Sequence, residues 1–330
     1  MRIELQSPLD MHLHLREDTM MQNVAPLSAA SFAGGVVMPN LVAPVDSLAK
    51  VREYREAILQ CTNNLDFKPF MTLFFKEYSR DELFEAKDEI IGIKLYPAGI
   101  TTQSENGVSD FSSISSTLGH MEELGIPLLV HGETGGFVMD REKDFLPVYQ
   151  QIAEQFPNLH VVMEHITTAD AVHLLDQYDN ISATVTLHHL MITLDDVAGG
   201  MLEPDLFCKP IAKTPHDLAV LREAVFSGHP KLMFGSDSAP HPRHKKECCG
   251  CAAGIFSAPV ALPMLAEMFE DENKLDLLQD FVSGIACKRY GLGPISRTVT
   301  LEKKPWTIPE LYHDIKPFGA GRTLRWSQLV

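Results

Sequence analysis

The chain has 330 residues, 45% of them hydrophobic and 22% charged, which is the composition of a globular protein with one large domain or two smaller ones. Its 44 acidic and 28 basic residues give a formal net charge of -16, so the overall field repels nucleic acids and anionic membrane surfaces. No apolar run reaches the roughly 20 residues of a membrane span, and no basic segment precedes an apolar stretch at the start. We therefore expect a cytoplasmic protein that binds neither nucleic acids nor membranes.

Eight short apolar runs follow one another along the chain, and helical patterns such as those at 46–60 and 217–228 separate them. The runs are MHLHL (11–15), GGVVMPN (34–40), FMTLFF (70–75), IGIKLYP (91–97), IPLLVHGE (126–133), HVVMEHI (160–166), ISATVT (181–186) and KLMFGSD (231–237). Apolar strands joined by helices indicate a parallel sheet that is covered on both faces, and eight such units predict an α/β fold, a (β/α)8 barrel of the TIM type. An open doubly wound sheet is the alternative, but no glycine-rich dinucleotide motif follows an early strand.

The barrel prediction also sets the domain organisation. We expect a single domain over residues 1–330, with the barrel core at about 8–250 and a C-terminal extension at about 251–330 that packs on the barrel. The six cysteines should be reduced thiols, because a chain of this length needs no disulfides. A zinc site in the CCGC stretch at 248–251 is the alternative to an ordinary glycine-rich loop there, but the second cysteine pair of a zinc ribbon is missing.

Polar residues stand at the ends of these strands, where active sites of such barrels lie. The residues are His12, His14, Asn40, Lys94, His131, His165 and Asp237. His12 and His14 should project to the same side of the first strand, because side chains two residues apart share a face. Together, four imidazoles and a carboxylate provide a nitrogen and oxygen donor set that suits zinc.

Lys94 is unusual because it lies within an apolar strand, where an unpaired ammonium group is costly to bury. It could form a Schiff base, as in an aldolase, or a salt bridge with a neighbouring carboxylate. Carboxylation to a carbamate is the third alternative, and the four nearby histidines favour it because the two carbamate oxygens can bridge two metal ions.

Seven motifs carry a resemblance to the amidohydrolase superfamily and, more closely, to dihydroorotases of the short bacterial type. They are DMHLHLRED (10–18), VVMPN (36–40), IKLYPAGITT (93–102), PLLVHGE (127–133), EHITT (164–168), GSDSAPH (235–241) and GRTLRWS (321–327). The resemblance implies a zinc-dependent hydrolase of cyclic amide C–N bonds. Such an enzyme closes N-carbamoyl-L-aspartate reversibly into (S)-dihydroorotate, with loss of water, in pyrimidine synthesis.

The resemblance also implies the site. One zinc ion would be held by His12, His14 and Asp237, and a second by His131 and His165. Carboxylated Lys94 (N6-carboxylysine) and a hydroxide, the nucleophile, would bridge the two ions, with Asp237 as general base and acid.

The substrate contacts implied by the resemblance surround this metal pair. Arg16, Asn40 and His241 would bind the unreactive carboxylate, and Arg16 suits this role because a guanidinium binds a carboxylate at two points. The remaining contacts would come from His14, His131, Thr101, Thr102, Lys209 and Ala253, with Ala252 as the alternative to Ala253.

Two positions depart from the family pattern, which has an apolar residue at Lys209 and a threonine at Ser236. A hydantoinase or dihydropyrimidinase is the alternative enzyme, and a non-catalytic relative or a Schiff-base lyase are alternatives of other classes. Relatives of the implied type are homodimers, so we expect a homodimer.

Overall fold

The computed structural model describes residues 1–62, 65–100, 107 and 114–329. A short strand, β1 (Arg2–Gln6), precedes eight parallel strands that form one sheet in chain order. The eight strands are β2 (Leu9–Leu13), β3 (Gly34–Val37), β4 (Lys68–Phe74), β5 (Gly92–Leu95), β6 (Leu128–Val130), β7 (Val161–Met163), β8 (Ile181–Val185) and β9 (Leu232–Phe234). They coincide with the eight predicted runs, so the prediction of a (β/α)8 barrel is confirmed.

Contacts just beyond the strand ends bring the first and last barrel strands together. The backbone N–H of Asp237 donates to the carbonyl oxygen of His12 at 2.8 Å, and the N–H of His14 donates to that of Ser238 at 3.0 Å. These bonds lie at the carboxyl ends of β2 and β9. The sheet therefore closes at the same edge that carries the predicted site.

Helices follow the barrel strands; most of them cover the outside of the sheet, and the last one packs against the cluster inside the barrel. They are α1 (Asp18–Ser31), α2 (Leu48–Cys61), α3 (Arg80–Ala86), α4 (Ser115–Leu124), α5 (Leu146–Gln155), α6 (Ala169–Leu175), α7 (Leu194–Ala198), α8 (Pro215–Phe226), α9 (Arg243–Lys246), α10 (Ala261–Asp271) and α11 (Ile285–Tyr290). Three of them begin with capping boxes: Ser79 with Glu82 in α3, Thr193 with Asp196 in α7 and Thr214 with Asp217 in α8. Each box satisfies backbone N–H groups that have no partner inside the helix, which fixes where the helix starts.

The side chains of the barrel strands, which point alternately outward and inward, form two separate hydrophobic cores. An outer cluster fills the space between sheet and helices, while a smaller inner cluster includes Leu129 of β6, Val162 of β7 and Met233 of β9. Because side chains of a strand point alternately to its two faces, each of these residues marks the barrel interior. In β5, Ile93 and Leu95 belong to the outer cluster, so Lys94 between them points inward.

The C-terminal part ties the two ends of the chain together. Strand β10 (Thr298–Glu302) pairs antiparallel with β1 and with β13 (Ser327–Gln328), and β11 (Trp306–Thr307) pairs with β12 (Thr323–Leu324). Trp326 is fully buried, and its indole N–H donates to Glu270 at 3.2 Å. Within the described part of the chain, no helix combines the length and the apolar character needed to cross a bilayer.

Candidate metal centre and substrate cleft

His12 and His14 both line a cleft at the carboxyl end of the barrel, with their ring centroids 5.3 Å apart. Leu13 between them packs in the outer core, as the prediction of a shared face requires. The register between β2 and β3 shifts between Asp10 and Leu13. Met11 packs in the inner core and the adjacent His12 also points inward, which the regular alternation of a strand would not allow. Such bulges re-aim side chains beside active sites.

Asp237 lies against both of these histidines. Its Oδ1 atom is 3.1 Å from Nε2 of His14 and 3.5 Å from Nε2 of His12. The three potential ligand atoms lie within 4.8 Å of one another, and all three side chains are buried. The backbone of Asp237 has a φ of 42°, a left-handed conformation that is strained for a residue with a side chain.

His131 and His165 form the second half of the cluster. Nδ1 of His131 faces Nε2 of His165 at 3.0 Å, and the ring of His165 lies 4.9 Å from that of His12. Burial, reinforced by the neighbouring His131, holds the pKa of His165 well below its usual range, so this imidazole is neutral and keeps a lone pair. His165 also has a left-handed backbone, with a φ of 42°. All four predicted imidazoles thus meet in one place.

Lys94 is fully buried beneath this cluster. Its Nζ atom lies 5.0 Å from the ring centroid of Tyr96 and has no hydrogen-bond partner among the described residues. Burial lowers the pKa of Lys94 to about 8, although the nearby Glu164 and Asp237 oppose the shift. Within the described ranges, Lys94 therefore lacks the salt bridge that was one alternative for its buried amine.

Two of the histidines, His12 and His131, each have one ring nitrogen hydrogen-bonded to a buried carboxylate. The sequence alone did not identify these carboxylates. Oε2 of Glu164 lies 2.8 Å from Nδ1 of His12, and Oε2 of Glu133 lies 2.8 Å from Nε2 of His131. Such carboxylates fix the tautomer and orientation of histidines that bind metals. The sequence could have indicated them by their closeness to predicted ligands, since Glu164 directly precedes His165 and Glu133 follows His131 by two residues.

Two further buried carboxylates hold the turns that carry the ligands. Glu142 accepts hydrogen bonds from the backbone N–H groups and the hydroxyls of Thr167 and Thr168, just after His165. Asp10 accepts from the backbone N–H of Ser236 at 2.8 Å and from its hydroxyl at 2.5 Å. These bonds stabilise the strained turns that carry His165 and Asp237.

Arg16 and His241 lie together at one side of the cleft. Nη2 of Arg16 is 3.2 Å from Nε2 of His241, which is also 3.0 Å from the carbonyl oxygen of Ala253. A guanidinium only donates hydrogen bonds and a carbonyl oxygen only accepts them. Nε2 of His241 can therefore bond the carbonyl when it carries a proton, or Arg16 when it does not, but not both. Burial and the Arg16 charge lower the pKa of His241 to about 3, so this ring is neutral. Asn40 lines the same cleft and hydrogen-bonds His14.

The other predicted substrate contacts are only partly visible. Lys209 and Ala253 line the cleft, and Nζ of Lys209 donates to the carbonyl oxygen of Ile100 at 2.8 Å. Thr101 and Thr102 lie outside the described residues. Apart from these two threonines, the predicted site residues line the cleft or adjoin it: Lys94 is buried beside it, and His241 contacts Arg16 and Ala253 at its edge.

Lys246, which the sequence reasoning also missed, joins the two loops that carry these contacts. Its Nζ atom donates to the carbonyl oxygens of Phe207 at 2.8 Å, Ala252 at 3.0 Å and Gly254 at 2.7 Å. A Cβ atom on Gly254 would lie 2.4 Å from the carbonyl oxygen of Ala239, so only glycine allows this close approach. Ala253 lines the cleft, whereas the carbonyl oxygen of Ala252 accepts a hydrogen bond from Lys246.

A parallel eight-stranded barrel with histidines, a buried lysine and an aspartate at its mouth is an amidohydrolase-type enzyme fold. No family model matches the chain. A curated dihydroorotase from Helicobacter hepaticus is 44% identical over 335 residues, which is 98% of this chain and 97% of that protein. The chain belongs to the dihydroorotase family, whose members are metal-dependent hydrolases of cyclic amides.

Solved structures agree with this assignment. The 2.4 Å crystal structure of dihydroorotase from Campylobacter jejuni superposes with a TM-score of 0.95 at 51% sequence identity, covering 99% of this chain and 97% of that one. Dihydroorotase from Saccharomyces cerevisiae, crystallised with 5-fluoroorotic acid, gives a TM-score of 0.94 at 35% identity, covering 99% and 98%. The likeness thus extends over the whole barrel and the C-terminal strands.

Replacing Glu164 by glutamine should weaken metal binding by about 10- to 100-fold, because the neutral amide no longer fixes the imidazole of His12. Titration of the metal-depleted protein with zinc, in competition with a chromogenic chelator, measures the change. Glu267→Gln is the matched control, since Glu267 is a buried carboxylate that bonds Arg322 and Arg325 instead of a histidine. Equal zinc affinities in the folded Glu164 variant and the intact chain would contradict this role.

Proposed function

We propose that the chain is a zinc-dependent dihydroorotase that interconverts N-carbamoyl-L-aspartate and (S)-dihydroorotate in pyrimidine biosynthesis. The observation that carries the proposal is the convergence of four imidazoles and Asp237 beside the buried, unpaired amine of Lys94, with Arg16 at the edge of the same cleft. Membership of the dihydroorotase family supports it. The yeast relative was crystallised with 5-fluoroorotic acid, a pyrimidine that carries a carboxylate, as the proposed substrate does.

The donor atoms suit two zinc ions. The proposed ligands are His12, His14 and Asp237 for one ion, His131 and His165 for the other, and carboxylated Lys94 between them. The lowered pKa of Lys94 raises the fraction of neutral amine, which is the form that reacts with carbon dioxide. Bound at these residues, divalent ions would lower the pKa of a water towards neutrality and would polarise the amide carbonyl.

Asp237 is the residue proposed to move the proton. Burial raises the pKa of its carboxyl group, with His12 opposing the shift most strongly. Its Oδ1 atom lies against His12 and His14, so the carboxylate is placed within reach of a water held by the proposed ligands. In hydrolysis, Asp237 takes a proton from the attacking water and returns it to the departing amide nitrogen. In the biosynthetic direction the same atoms move in reverse order.

Arg16 is the residue proposed to select the substrate. Its guanidinium hydrogen-bonds the carbonyl oxygen of Pro240 and the ring of His241, and among the described residues it forms no ion pair with a carboxylate, although the charge of Asp237 acts on it. An incoming substrate carboxylate can therefore form two charge-assisted hydrogen bonds with it. The proposed set of substrate contacts is His14, Arg16, Asn40, Thr101, Thr102, His131, Lys209, His241 and Ala253.

Metal content and turnover, measured together, test the proposal. We expect two zinc ions in the catalytic centre of each chain, hydrolysis of dihydroorotate in strong preference to dihydrouracil, loss of turnover after chelation and its return with zinc. Dihydrouracil is the matched substrate because it lacks only the carboxylate. Full turnover in a sample shown to be free of metal would overturn the proposed mechanism, and a preference for dihydrouracil would favour the dihydropyrimidinase alternative.

Arg16→Met should lower kcat/KM for dihydroorotate by roughly 10- to 100-fold, because charge-assisted hydrogen bonds worth about 1.5–3 kcal/mol are lost. Steady-state kinetics on both substrates measures the change, and slow turnover of dihydrouracil should stay the same. Arg16→Lys keeps the charge without the two-point geometry, so its kcat/KM for dihydroorotate should lie between the values of Arg16→Met and of the intact chain. If methionine lowered both activities equally, Arg16 would have a structural role instead.

We further propose that residues 1–330 form a single domain and that the protein acts as a cytoplasmic homodimer. The pairing of β1 with β10 supports the first statement, since it joins the start of the chain to the C-terminal extension. The resemblance to short bacterial dihydroorotases supports the cytoplasmic location and the homodimer.

A further inference from the structure

A second cluster of potential metal ligands lies next to the cleft. It consists of His188 and His189, which belong to a short 3-10 helix (His188–Leu190), and Cys208. All three side chains are buried, and one ligand atom of each lies within 4.8 Å of the others. The proposed hydrolysis uses none of them.

The distance between two of these atoms matches a metal site. Nε2 of His189 lies 3.6 Å from Sγ of Cys208. Bonds of about 2.3 Å from zinc to sulfur and about 2.0–2.1 Å to nitrogen, at a tetrahedral angle, place the two atoms roughly 3.6 Å apart. The carbonyl oxygen of Pro210 is 3.0 Å from this nitrogen and 3.2 Å from the sulfur, so it is placed to provide a further donor.

His188 has an environment that ordinary packing does not explain. Both of its ring nitrogens are buried and have no hydrogen-bond partner among the described residues. Burial, followed by the charges of His189 and Lys246, holds the pKa of His188 well below its usual range, so the ring is neutral and carries a lone pair. An unsatisfied buried polar group is unfavourable, and a cation bound to the lone pair would offset part of that cost.

Cys208 contributes the sulfur atom of this cluster. Burial raises the pKa of Cys208 to about 12, so without a metal ion its thiol is protonated and donates to the carbonyl of Pro210. A soft divalent ion displaces that proton and binds the thiolate. The predicted ligands of the catalytic centre contain no sulfur, so the two sites differ in ligand chemistry.

We propose that His188, His189 and Cys208 form a separate zinc site with one thiolate and two imidazole ligands. This site would join the turn after β8 to the segment that continues from Cys208 into Lys209, and so hold Lys209 in the wall of the cleft. It is structural and takes no part in the reaction. The proposal does not depend on the proposed function, because it concerns ligands outside the catalytic centre.

Cobalt(II) provides a test because only a thiolate ligand gives the cobalt–thiolate charge-transfer absorption in the near ultraviolet. The starting protein is the full chain with Cys248→Ser, Cys249→Ser and Cys251→Ser, which removes the exposed CCGC thiols as a second source of the band. After metal depletion and addition of cobalt chloride, we expect this band together with one more metal equivalent than the catalytic centre holds. Adding Cys208→Ser should remove the band and that one equivalent.

Two controls make the outcome decisive. Cys287→Ser in the same background should keep the band, because Cys287 neighbours Ser283 rather than this cluster. His188→Gln preserves Cys208 and should shift the cobalt titration to higher concentration, which covers the case in which Cys208→Ser fails to fold. Absence of the band in the starting protein, its persistence with Cys208→Ser, or an unshifted titration with His188→Gln would each overturn the proposal.

Discussion

Replacing Lys94 by alanine should lower the rate of dihydroorotate hydrolysis by at least about a thousandfold, since a metal pair contributes several kcal/mol of transition-state stabilisation and each 1.36 kcal/mol is tenfold. Short carboxylic acids such as propionate should restore part of the rate. The reason is the buried space that the side chain leaves beside the histidines, where an added carboxylate can take the place of the proposed carbamate. Turnover measured against acid concentration, together with zinc content, checks the result.

The control for this experiment is a lysine that lies near a barrel strand but away from the cleft. Nζ of Lys231 donates to the carbonyl oxygens of Leu175 and Tyr178, and the residue directly precedes β9 at the opposite end of the barrel from the site. Lys231→Ala should lower stability without changing turnover per folded molecule. If Lys94→Ala kept its zinc and no acid restored the rate, the bridging role of Lys94 would be wrong.

Replacing Asp237 by asparagine should lower kcat by about 10²- to 10⁴-fold, the usual contribution of a general base and acid. The amide has nearly the shape of the carboxylate and can still lie against His14, but it cannot accept the proton of the attacking water. Stopped assays of dihydroorotate hydrolysis and of the reverse cyclisation should fall together, because the same group acts in both directions. Zinc content must be measured in parallel, since Asp237 is also a proposed ligand.

Asp217→Asn is the matched control for this change. Asp217 belongs to the capping box of α8 and accepts a hydrogen bond from the backbone N–H of Ala169 at 2.9 Å. Its replacement should cost stability, typically about 1 kcal/mol for a helix cap, and leave turnover unchanged. Nearly full kcat in a zinc-loaded Asp237→Asn protein would show that another group moves the proton.

Much of the site could be predicted because it depends on local order along the chain. Parallel strands all end at one edge of the sheet, so strand-end residues as distant in sequence as His12 and Asp237 had to meet. The inward direction of Lys94 followed in the same way from the alternation of Ile93 and Leu95. These features need only the period of a strand and the direction of its chain.

Other features of the site could not be predicted in this way. Glu164 is adjacent to His165 in sequence but bonds His12, because the left-handed turn at His165 sets the direction of both side chains. The role of Lys246 depends on carbonyl groups from two separate loops that meet around it. Neither contact has a periodic signal.

The sequence by itself determined the eight strands, their order and the residues at their ends, because each is set by hydrophobic periodicity and by residues that follow directly in the chain. Only the tertiary structure decided the pairing of β1 with β10, about 300 residues apart, and the meeting of His188 and Cys208 beside the cleft. Those contacts arise when distant segments pack together, and the free energy of that packing depends on the shape of the whole molecule rather than on any short stretch of it.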